Sequence, residues 1–260
     1  MDAPVVAMRG VEKTFANGTR ALAPIDLDVR RGDFVTLLGP SGCGKSTLLN
    51  LIGGVVRPSR GAIAWWGADF DATGLDSRRI AFVFQAPTLM PWARVASNVR
   101  LPLDLARVDR AQARRAVDHS LALVGLRDFA RHFPRELSGG MQMRASIARA
   151  LVTAPDLLLM DEPFAALDEF ARQRLDVELS SLWRAERLTV VFVTHSIAEA
   201  VFLSTRVVVL GPRPGRVLDS IGIDEPFPRS DAFRVSTAFA QHAQRVSDLV
   251  AAAANAATDR

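Results

Sequence analysis

One short segment constrains the fold of this chain more than any other. It reads Gly39-Pro-Ser-Gly-Cys-Gly-Lys-Ser46 and fits the pattern G-x-x-x-x-G-K-[ST]. Residues 34–38 before it form an apolar, partly β-branched run typical of a strand, and residues 46–52 after it have helical character. Glycines between a strand and a helix let backbone N–H groups point inward beside the positive end of the helix. The sequence therefore predicts a phosphate-binding loop in an α/β fold.

The chemistry of this loop depends on two of its side chains. Lys45 is one of only two lysines, since the positive charge is otherwise carried by arginine, and it stands where terminal phosphates need a long cation. Ser46 is predicted to give its hydroxyl oxygen to Mg²⁺. The alternative, an ordinary glycine turn, is disfavoured by the strand–loop–helix context. The predicted phosphate-loop residues are Gly39, Pro40, Ser41, Gly42, Cys43, Gly44, Lys45, Ser46 and Thr47.

A second apolar run ends in two carboxylates. Residues 157–160 are expected to form a buried strand, followed by Asp161 and Glu162. Ligands of open α/β sheets bind at the carboxyl ends of the strands. Asp161 is therefore predicted to hold Mg²⁺, and Glu162 to orient and deprotonate an attacking water. The alternative is a solvated acidic pair that opens the turn at Pro163.

A third motif, Ser138-Gly139-Gly140, precedes a predicted helix at residues 140–152. A serine and two glycines at a helix start form an anion-binding N-terminus. The alternative is a simple N-cap, which explains Ser138 alone. The chain thus has two half-sites for phosphate, and they need not meet within one molecule.

Composition and charge exclude several classes of protein. With 49% hydrophobic and 23% charged residues, the chain of 260 residues is neither disordered nor collagen-like. The net charge of +4 is spread as arginines among acidic residues, so no nucleic-acid partner is expected. Residues 1–10 lack the pattern of a signal peptide, and no apolar run approaches the roughly 18 residues of a membrane span. We therefore expect a soluble, cytoplasmic protein.

The remaining pattern predicts an α/β core interrupted by one helical insertion. Strands at 5–15 and 22–29 are joined by a turn at Asn17-Gly18, and residues 91–154 are helical. A single alanine-rich helix at 233–256 ends the pattern. Further strands are predicted at 61–66, 80–84 and 189–193 and as a hairpin at 207–210 and from 217 onward, and further helices at 110–124 and 169–187.

These motifs occur together in the order found in a known family. The phosphate loop, Gln85, Leu-Ser-Gly-Gly140, Leu-Met-Asp-Glu162, Ala-Leu-Asp168 and Thr-His195 resemble the corresponding motifs of ABC-type ATPases over about residues 5–225. The resemblance implies a P-loop NTPase of ABC type, with a mixed-sheet core, an N-terminal antiparallel β subdomain and an inserted helical subdomain. The implied domains are 1–90 with 155–225 for the core, 91–154 for the helical subdomain and 226–260 for a C-terminal helical tail.

The resemblance also implies the roles of single residues. Two copies would pair head to tail, so that the phosphate loop of one copy and residues 138–140 of the other clamp the same ATP, with Mg²⁺. Phe15 would stack on adenine, Asp168 would bridge the subunits and His195 would contact the γ-phosphate. Local alternatives are a core position for Phe15, a polar strand end for Gln85 and a turn-capping role for His195. The implied catalytic set is Glu162, His195, Lys45 and Gln85; the metal set is Ser46, Gln85 and Asp161; the nucleotide contacts outside the loop are Phe15, Ser138, Gly139, Gly140 and Asp168.

Longer segments are similar to those of the ATP-binding subunits of nitrate, sulfonate and taurine importers. That likeness implies a peripheral homodimer on the cytoplasmic face of the inner membrane, which drives separate transmembrane permease subunits and is served indirectly by a periplasmic or surface solute-binding protein. Pro91-Trp92 is the candidate permease contact. Met143 and Phe170 depart from the pattern, which has a glutamine and a smaller residue there. The similar segments are Phe-Gln-Ala-Pro-Thr-Leu-Met-Pro-Trp92, Asn98-Val99, Asp-Glu-Pro-Phe-Ala-Ala-Leu-Asp-Glu169, His-Ser-Ile-Ala-Glu-Ala200 and Leu-Gly-Pro-Arg-Pro-Gly-Arg216.

Cys43 adds a hypothesis of its own. It is the only cysteine, so it cannot form an internal disulfide. It lies near the start of a predicted helix, a setting that lowers the pKa of a thiol. We therefore predict that alkylation of Cys43 inhibits ATP hydrolysis and that bound ATP protects it. A small buried hydrophobic residue is the alternative.

Other functions share parts of this pattern. The alternatives are an exporter subunit and a soluble ABC ATPase acting on DNA or ribosomes, although the latter typically carries a long coiled coil or a second nucleotide domain. A degenerate, non-enzymatic protein is disfavoured by Lys45, Asp161, Glu162 and His195. A P-loop kinase would lack the Leu-Ser-Gly-Gly140 segment. The sequence leaves open the solute, the direction of transport, the permease and any regulation.

Overall fold

The computed structural model of the protein describes residues 3–69 and 79–258. Two predicted domains extend beyond the described residues. These parts are residues 1–2 and 70–78 of the predicted core and residues 259–260 of the predicted tail. In chain order the elements are β1 (Val6–Thr14), β2 (Arg20–Val29), β3 (Phe34–Leu38), α1 (Lys45–Ile52), β4 (Arg60–Trp65), β5 (Ala68–Asp69), β6 (Ile80–Val83), α2 (Val95–Leu105), α3 (Arg110–Leu123), α4 (Gly139–Leu151), β7 (Leu157–Asp161), α5 (Glu169–Ala185), β8 (Val190–Thr194), α6 (Ile197–Leu203), β9 (Arg206–Leu210), β10 (Val217–Gly222), α7 (Asp231–Arg234) and α8 (Thr237–Thr258).

The chain divides into two compact units, residues 1–77 with 187–260 and residues 78–186. The first unit contains an antiparallel sheet in the order β2-β1-β4-β5. It also contains parallel pairs of β3 with β8 and with β9, and an antiparallel pair of β9 with β10. All five residues of β3 are buried, as expected for a central strand covered on both faces. The predicted phosphate loop begins where this strand ends.

The antiparallel sheet follows from the alternation in the first thirty residues. Val6 pairs with Val29 and Met8 with Leu27, and these apolar side chains are buried. The turn between β1 and β2 contains Gly18, whose φ of 81° suits a glycine, and its N–H donates to the carbonyl oxygen of Phe15 at 2.9 Å. The predicted pair of strands joined by a turn is confirmed.

The second unit combines a parallel β6–β7 pair with helices α2 to α5. Ile80 pairs with Leu157 and Val83 with Met160, so both strands point the same way. The four apolar residues of β7 are fully buried. Helix α4 packs against α2 and α3. This unit carries the two carboxylates at the carboxyl end of β7.

The C-terminal tail differs from the prediction of one helix at 233–256. The structure has two helices, α7 and α8, broken at Val235 and Ser236. The Ser236 hydroxyl accepts the N–H of Phe239 at 3.1 Å, so it acts as a cap and starts a new helix. Val246 of α8 is fully buried in the core of the first unit.

Arg229 ties this tail to α6. Its guanidinium is buried and donates to the carbonyl oxygens of Val201, Phe202 and Ser204 at 2.8–3.0 Å, at the end of α6. Burial lowers the pKa of Arg229 to about 10, although Glu225 raises it. The tail is therefore part of the packed unit. None of the helices in the described part of the chain has the length and apolarity needed to cross a bilayer.

Candidate functional site

The phosphate loop lies between β3 and α1, as the motif predicts. Gly44, just before α1, has a φ of 106°, which only glycine adopts without strain. A Cβ on Gly44 would also lie 2.7 Å from Leu22 Cδ2 and 3.0 Å from the carbonyl oxygen of Ala21. Backbone conformation and close approach to β2 both require glycine here, so the loop is packed tightly against the sheet.

Lys45 lies in the hollow of this loop and is only 5% exposed. Its Nζ donates to the carbonyl oxygens of Gly39 at 2.9 Å and Pro40 at 3.1 Å. A bound triphosphate would offer this ammonium anionic oxygens, which make stronger hydrogen bonds than neutral carbonyls. Ser46, one residue further along α1, is exposed. The loop therefore presents a buried cation and an accessible hydroxyl, as ATP with Mg²⁺ requires.

Cys43 does not behave as the reactive thiol that the motif suggested. Its side chain is 1% exposed, and burial raises the pKa of the thiol despite the opposing charge of Lys45. Desolvation outweighs the positive end of α1 because the sulfur faces the interior. This burial favours the alternative of a small buried hydrophobic residue over that of a reactive thiol.

His195 lies at the same sheet edge as the phosphate loop, because Leu38 pairs with Thr194 in parallel register. The side chain of His195 is exposed. The cap of α6 is Ser196, whose hydroxyl accepts the N–H of Glu199 at 3.3 Å. Ser196 therefore supplies the N-cap of α6.

Phe15 follows the end of β1 and is 40% exposed, with Lys13 Nζ 5.3 Å from the ring centroid. An exposed ring excludes the alternative of a plain core position. Its placement is compatible with a stacking role.

In the second unit, Asp161 ends β7 and Glu162 follows it. Glu162 has a φ of 45°, a left-handed conformation that costs a non-glycine residue about 1–3 kcal/mol. Both carboxylates are half-buried, which disfavours a merely solvated acidic pair. Gln85 follows β6 and is exposed, and the parallel β6–β7 pairing places it at the same sheet edge. No pattern in the sequence signals the strain at Glu162.

The Ser138-Gly139-Gly140 motif starts α4, and Ser138 is its N-cap. The Ser138 hydroxyl accepts the N–H of Met141 at 3.3 Å, as the local alternative predicts. A Cβ on Gly140 would meet no atom within 4 Å, so this helix start faces open space. The N-cap role and an open anion-binding surface thus coexist.

Asp168 is the N-cap of α5, and its Oδ1 accepts the N–H of Ala171 at 2.9 Å. It lines an open cavity of about 660 Å³ together with Ser138, Gly139 and Gly140. The exposed ring of Phe170 lines the same cavity. The structure therefore brings the predicted trans-acting residues to one surface of the second unit.

Residues 85–94, here called the 85–94 segment, are held by two polar side chains from helices. Arg149 of α4 donates to the carbonyl oxygens of Pro87 at 2.9 Å and Thr88 at 2.7 Å and to Thr88 Oγ1 at 2.7 Å. Thr88 has a φ of 48°, an outlier for a β-branched residue. Burial lowers the pKa of Arg149. The contact of Arg149 was missed in the sequence because its partners lie far away along the chain.

The other side chain is Asn98 of α2, which is fully buried. Its amide accepts the N–H of Met90 at 2.6 Å and donates to the carbonyl oxygens of Met90 and Ala93, both at 3.1 Å. Trp92, between these anchor points, is 76% exposed. The segment is thus anchored on both sides of an exposed indole ring.

The chain is similar to several known proteins. The family model described as ABC transporter matches residues 22–165. The chain is 46% identical over 210 residues to the taurine import ATP-binding protein TauB of Rhizobium johnstonii, covering 81% of this chain and 79% of the relative. It is 40% identical over 244 residues to the aliphatic sulfonates import ATP-binding protein SsuB of Bacillus licheniformis, covering 93% and 92%.

A similar solved structure is the dimeric, post-hydrolysis ATP-binding cassette MJ0796 bound to ADP and Pi. It is 33% identical, has a TM-score of 0.74 and covers 85% of this chain and 100% of its own.

Proposed function

Because this chain belongs to the ABC transporter family, we propose that it is the ATP-hydrolysing subunit of an importer for a small solute. Its fold, its use of ATP and its ATPase activity follow from the family. Import rather than export is supported by two relatives that are named import ATP-binding proteins and match most of the chain. The observation that carries the proposal is the accessible start of α4, where Ser138 and Gly139 are exposed and a Cβ on Gly140 would meet no atom.

The chemistry is divided among six side chains. Lys45 and the loop N–H groups would bind the phosphates, while Ser46 and Asp161 would hold Mg²⁺. Glu162 accepts a proton from the attacking water while the oxygen of that water bonds to the γ-phosphorus. The bond from the γ-phosphorus to the β–γ bridging oxygen breaks at the same time, and ADP leaves with that oxygen. His195 contacts the γ-phosphate and Phe15 stacks on the adenine. These roles are supported by the half-burial of both carboxylates and the exposure of His195 and Phe15.

Each site needs a second copy of the chain. Ser138 and the N–H groups after it approach the γ-phosphate bound by the partner's loop, because a helix start favours anions. Asp168 contacts the other copy from the same cavity wall. Permease subunits and dimerisation are expected for an import subunit of this family.

The 85–94 segment supplies the contact with the permease. Trp92 is 76% exposed, and Asn98 holds the backbone on both sides of it through Met90 and Ala93, so the indole ring is presented to a partner. Gln85 at the start of the segment would contact Mg²⁺ and sense the permease. The chain is then peripheral on the cytoplasmic face of the inner membrane.

The transported solute belongs to the class of small sulfonates, taurine and nitrate. The names of the two import relatives support the sulfonate and taurine part of this class. A periplasmic or surface solute-binding protein delivers such a solute to the permease.

Uptake in the host cell tests the proposal. Deletion of the gene is expected to abolish uptake of labelled taurine, an aliphatic sulfonate or nitrate, and the wild-type gene should restore it, whereas Glu162→Gln should not. Normal uptake of all three solutes in the deletion strain would overturn the proposed solute class. Restoration by Glu162→Gln would overturn the dependence on ATP hydrolysis.

A further inference from the structure

The turn between β9 and β10, residues 212–216, lies against the phosphate loop of the same unit. This turn is the Pro-Arg-Pro-Gly-Arg216 part of a motif that nucleotide hydrolysis does not explain. The Nε of Arg213 donates to the carbonyl oxygen of Gly42 at 3.1 Å. The arginine is exposed, so it reaches the loop from the solvent side.

The turn is fixed in this position by β2. The N–H of Gly215 donates to the carbonyl oxygen of Ala21, and the carbonyl oxygen of Gly215 accepts the N–H of Ala23, both at 2.9 Å. Ala21 and Leu22 of the same strand also limit the space around Gly44. The turn and the phosphate loop therefore share one strand as their support.

Gly215 touches the loop itself. A Cβ at this position would lie 2.1 Å from the carbonyl oxygen of Cys43, a distance that no real side chain tolerates. The contact is with backbone, which cannot rotate away as a side chain can. The turn thus limits where the Cys43 peptide can lie.

The hydrogen bond from Arg213 has a consequence for the orientation of the next peptide. In a trans peptide the C=O and N–H groups point in opposite directions. Since the carbonyl oxygen of Gly42 faces Arg213, the N–H of Cys43 is turned into the loop, where it donates to the carbonyl oxygen of Pro40 at 3.3 Å. Because this N–H already donates to Pro40 within the loop, the bond from Arg213 fixes the loop's own conformation, on which a phosphate cradle depends.

We propose that the 212–216 turn braces the phosphate loop and that Arg213 is a positioning residue for nucleotide binding. Arg213 holds the Gly42 carbonyl outward and adds a positive charge beside the cradle, while Gly215 supports Cys43 from behind. The inference rests on the proposed role of the loop in binding the triphosphate. It assigns a purpose to a motif that a simple hairpin connection leaves unexplained.

Equilibrium binding of MgATP to the purified full chain tests this brace. Arg213→Ala is expected to raise the Kd for MgATP about tenfold, because a charge-assisted hydrogen bond and a nearby cation are lost. Arg213→Lys, which keeps the charge, should recover part of the affinity. Arg216→Ala is the matched control, since it removes the other arginine of the same turn and has no hydrogen bond to the loop among the described residues.

A second variant and the melting temperature separate positioning from folding. Gly215→Ala should weaken MgATP binding more than Arg213→Ala, because the new methyl group displaces the Cys43 carbonyl. Arg213→Ala should keep the melting temperature of the wild type, since its side chain is exposed. Wild-type affinity in Arg213→Ala, or an equal loss in Arg216→Ala, would overturn the brace. Absence of MgATP binding by the wild type would instead count against the proposed function of the loop.

Discussion

The phosphate loop of the first unit and the 85–94 segment of the second unit are held in place in different ways. The loop is confined by backbone contacts at Gly44 and Gly215 and encloses a buried lysine. The 85–94 segment is exposed around Trp92 and depends on Arg149 and Asn98 for its anchoring hydrogen bonds. Regions held by few contacts open more easily than packed regions.

This difference fits two kinds of ligand. A triphosphate has a fixed shape, and a rigid cradle binds it without ordering the loop again on each cycle. If the 85–94 segment is the permease contact, as proposed above, it needs a defined but displaceable geometry, because a membrane partner moves during transport. Thr88 of the 85–94 segment has a strained φ, and Arg149 holds it in that conformation. Changes near the phosphate loop should therefore affect the chemistry, and changes at the 85–94 segment should affect its order.

The largest effect is expected at the carboxylate next to β7. Glu162→Gln should lower kcat for ATP hydrolysis by about 10²–10⁴, because the proposed general base is lost while the phosphate cradle remains. Steady-state ATPase assays and ATP-binding measurements check both parts. Glu186→Gln, a change at an exposed glutamate at the end of α5, should leave kcat unchanged. An undiminished kcat in Glu162→Gln would remove Glu162 from the mechanism.

A smaller effect is expected in the 85–94 segment. Arg149→Gln should speed hydrogen exchange of the backbone amides in residues 86–94 by about tenfold, because the charged hydrogen bonds that hold Thr88 are lost. Hydrogen exchange with mass spectrometry gives this measurement. Arg144→Gln on the same helix breaks a contact with Glu178 instead and should leave those amides unchanged. Equal exchange in Arg149→Gln and the wild type would show that Arg149 does not order the segment.

The smallest effect concerns the thiol inside the loop. Iodoacetamide at neutral pH should leave Cys43 unmodified in the native protein and ATPase activity intact, because burial shields the sulfur and raises its pKa. The same reagent should label the chain in denaturant. Mass spectrometry of both samples gives the extent of labelling. Rapid labelling of the native protein would mean that the loop opens more readily than its packing indicates.

The sequence predicts the phosphate loop better than the 85–94 segment. The phosphate loop, β3 and the carboxylates after β7 follow from local patterns, since glycine spacing and apolar runs act over a few residues. The ABC-type fold expected from the resemblance is confirmed. The domain boundaries at residues 90 and 154 and the roles assigned to the site residues stay predictions.

What the sequence did not show depends on distant contacts or on backbone geometry. The hydrogen bonds of Arg149 join residues that are far apart along the chain. The left-handed conformation of Glu162 arises where a buried strand meets a tight turn, and no residue type marks it. The break in the tail at Ser236 could not be predicted from the sequence, because it depends on whether the Ser236 hydroxyl caps α8 or points to solvent.

The central claim is that two copies of the chain together enclose each triphosphate. Sedimentation equilibrium of Glu162→Gln, with and without saturating MgATP, tests it most directly. We predict a dimer with MgATP and a monomer without it, and we predict that Ser138→Arg in the same background binds MgATP but stays monomeric. A Glu162→Gln protein that remains monomeric when saturated with MgATP would contradict the account.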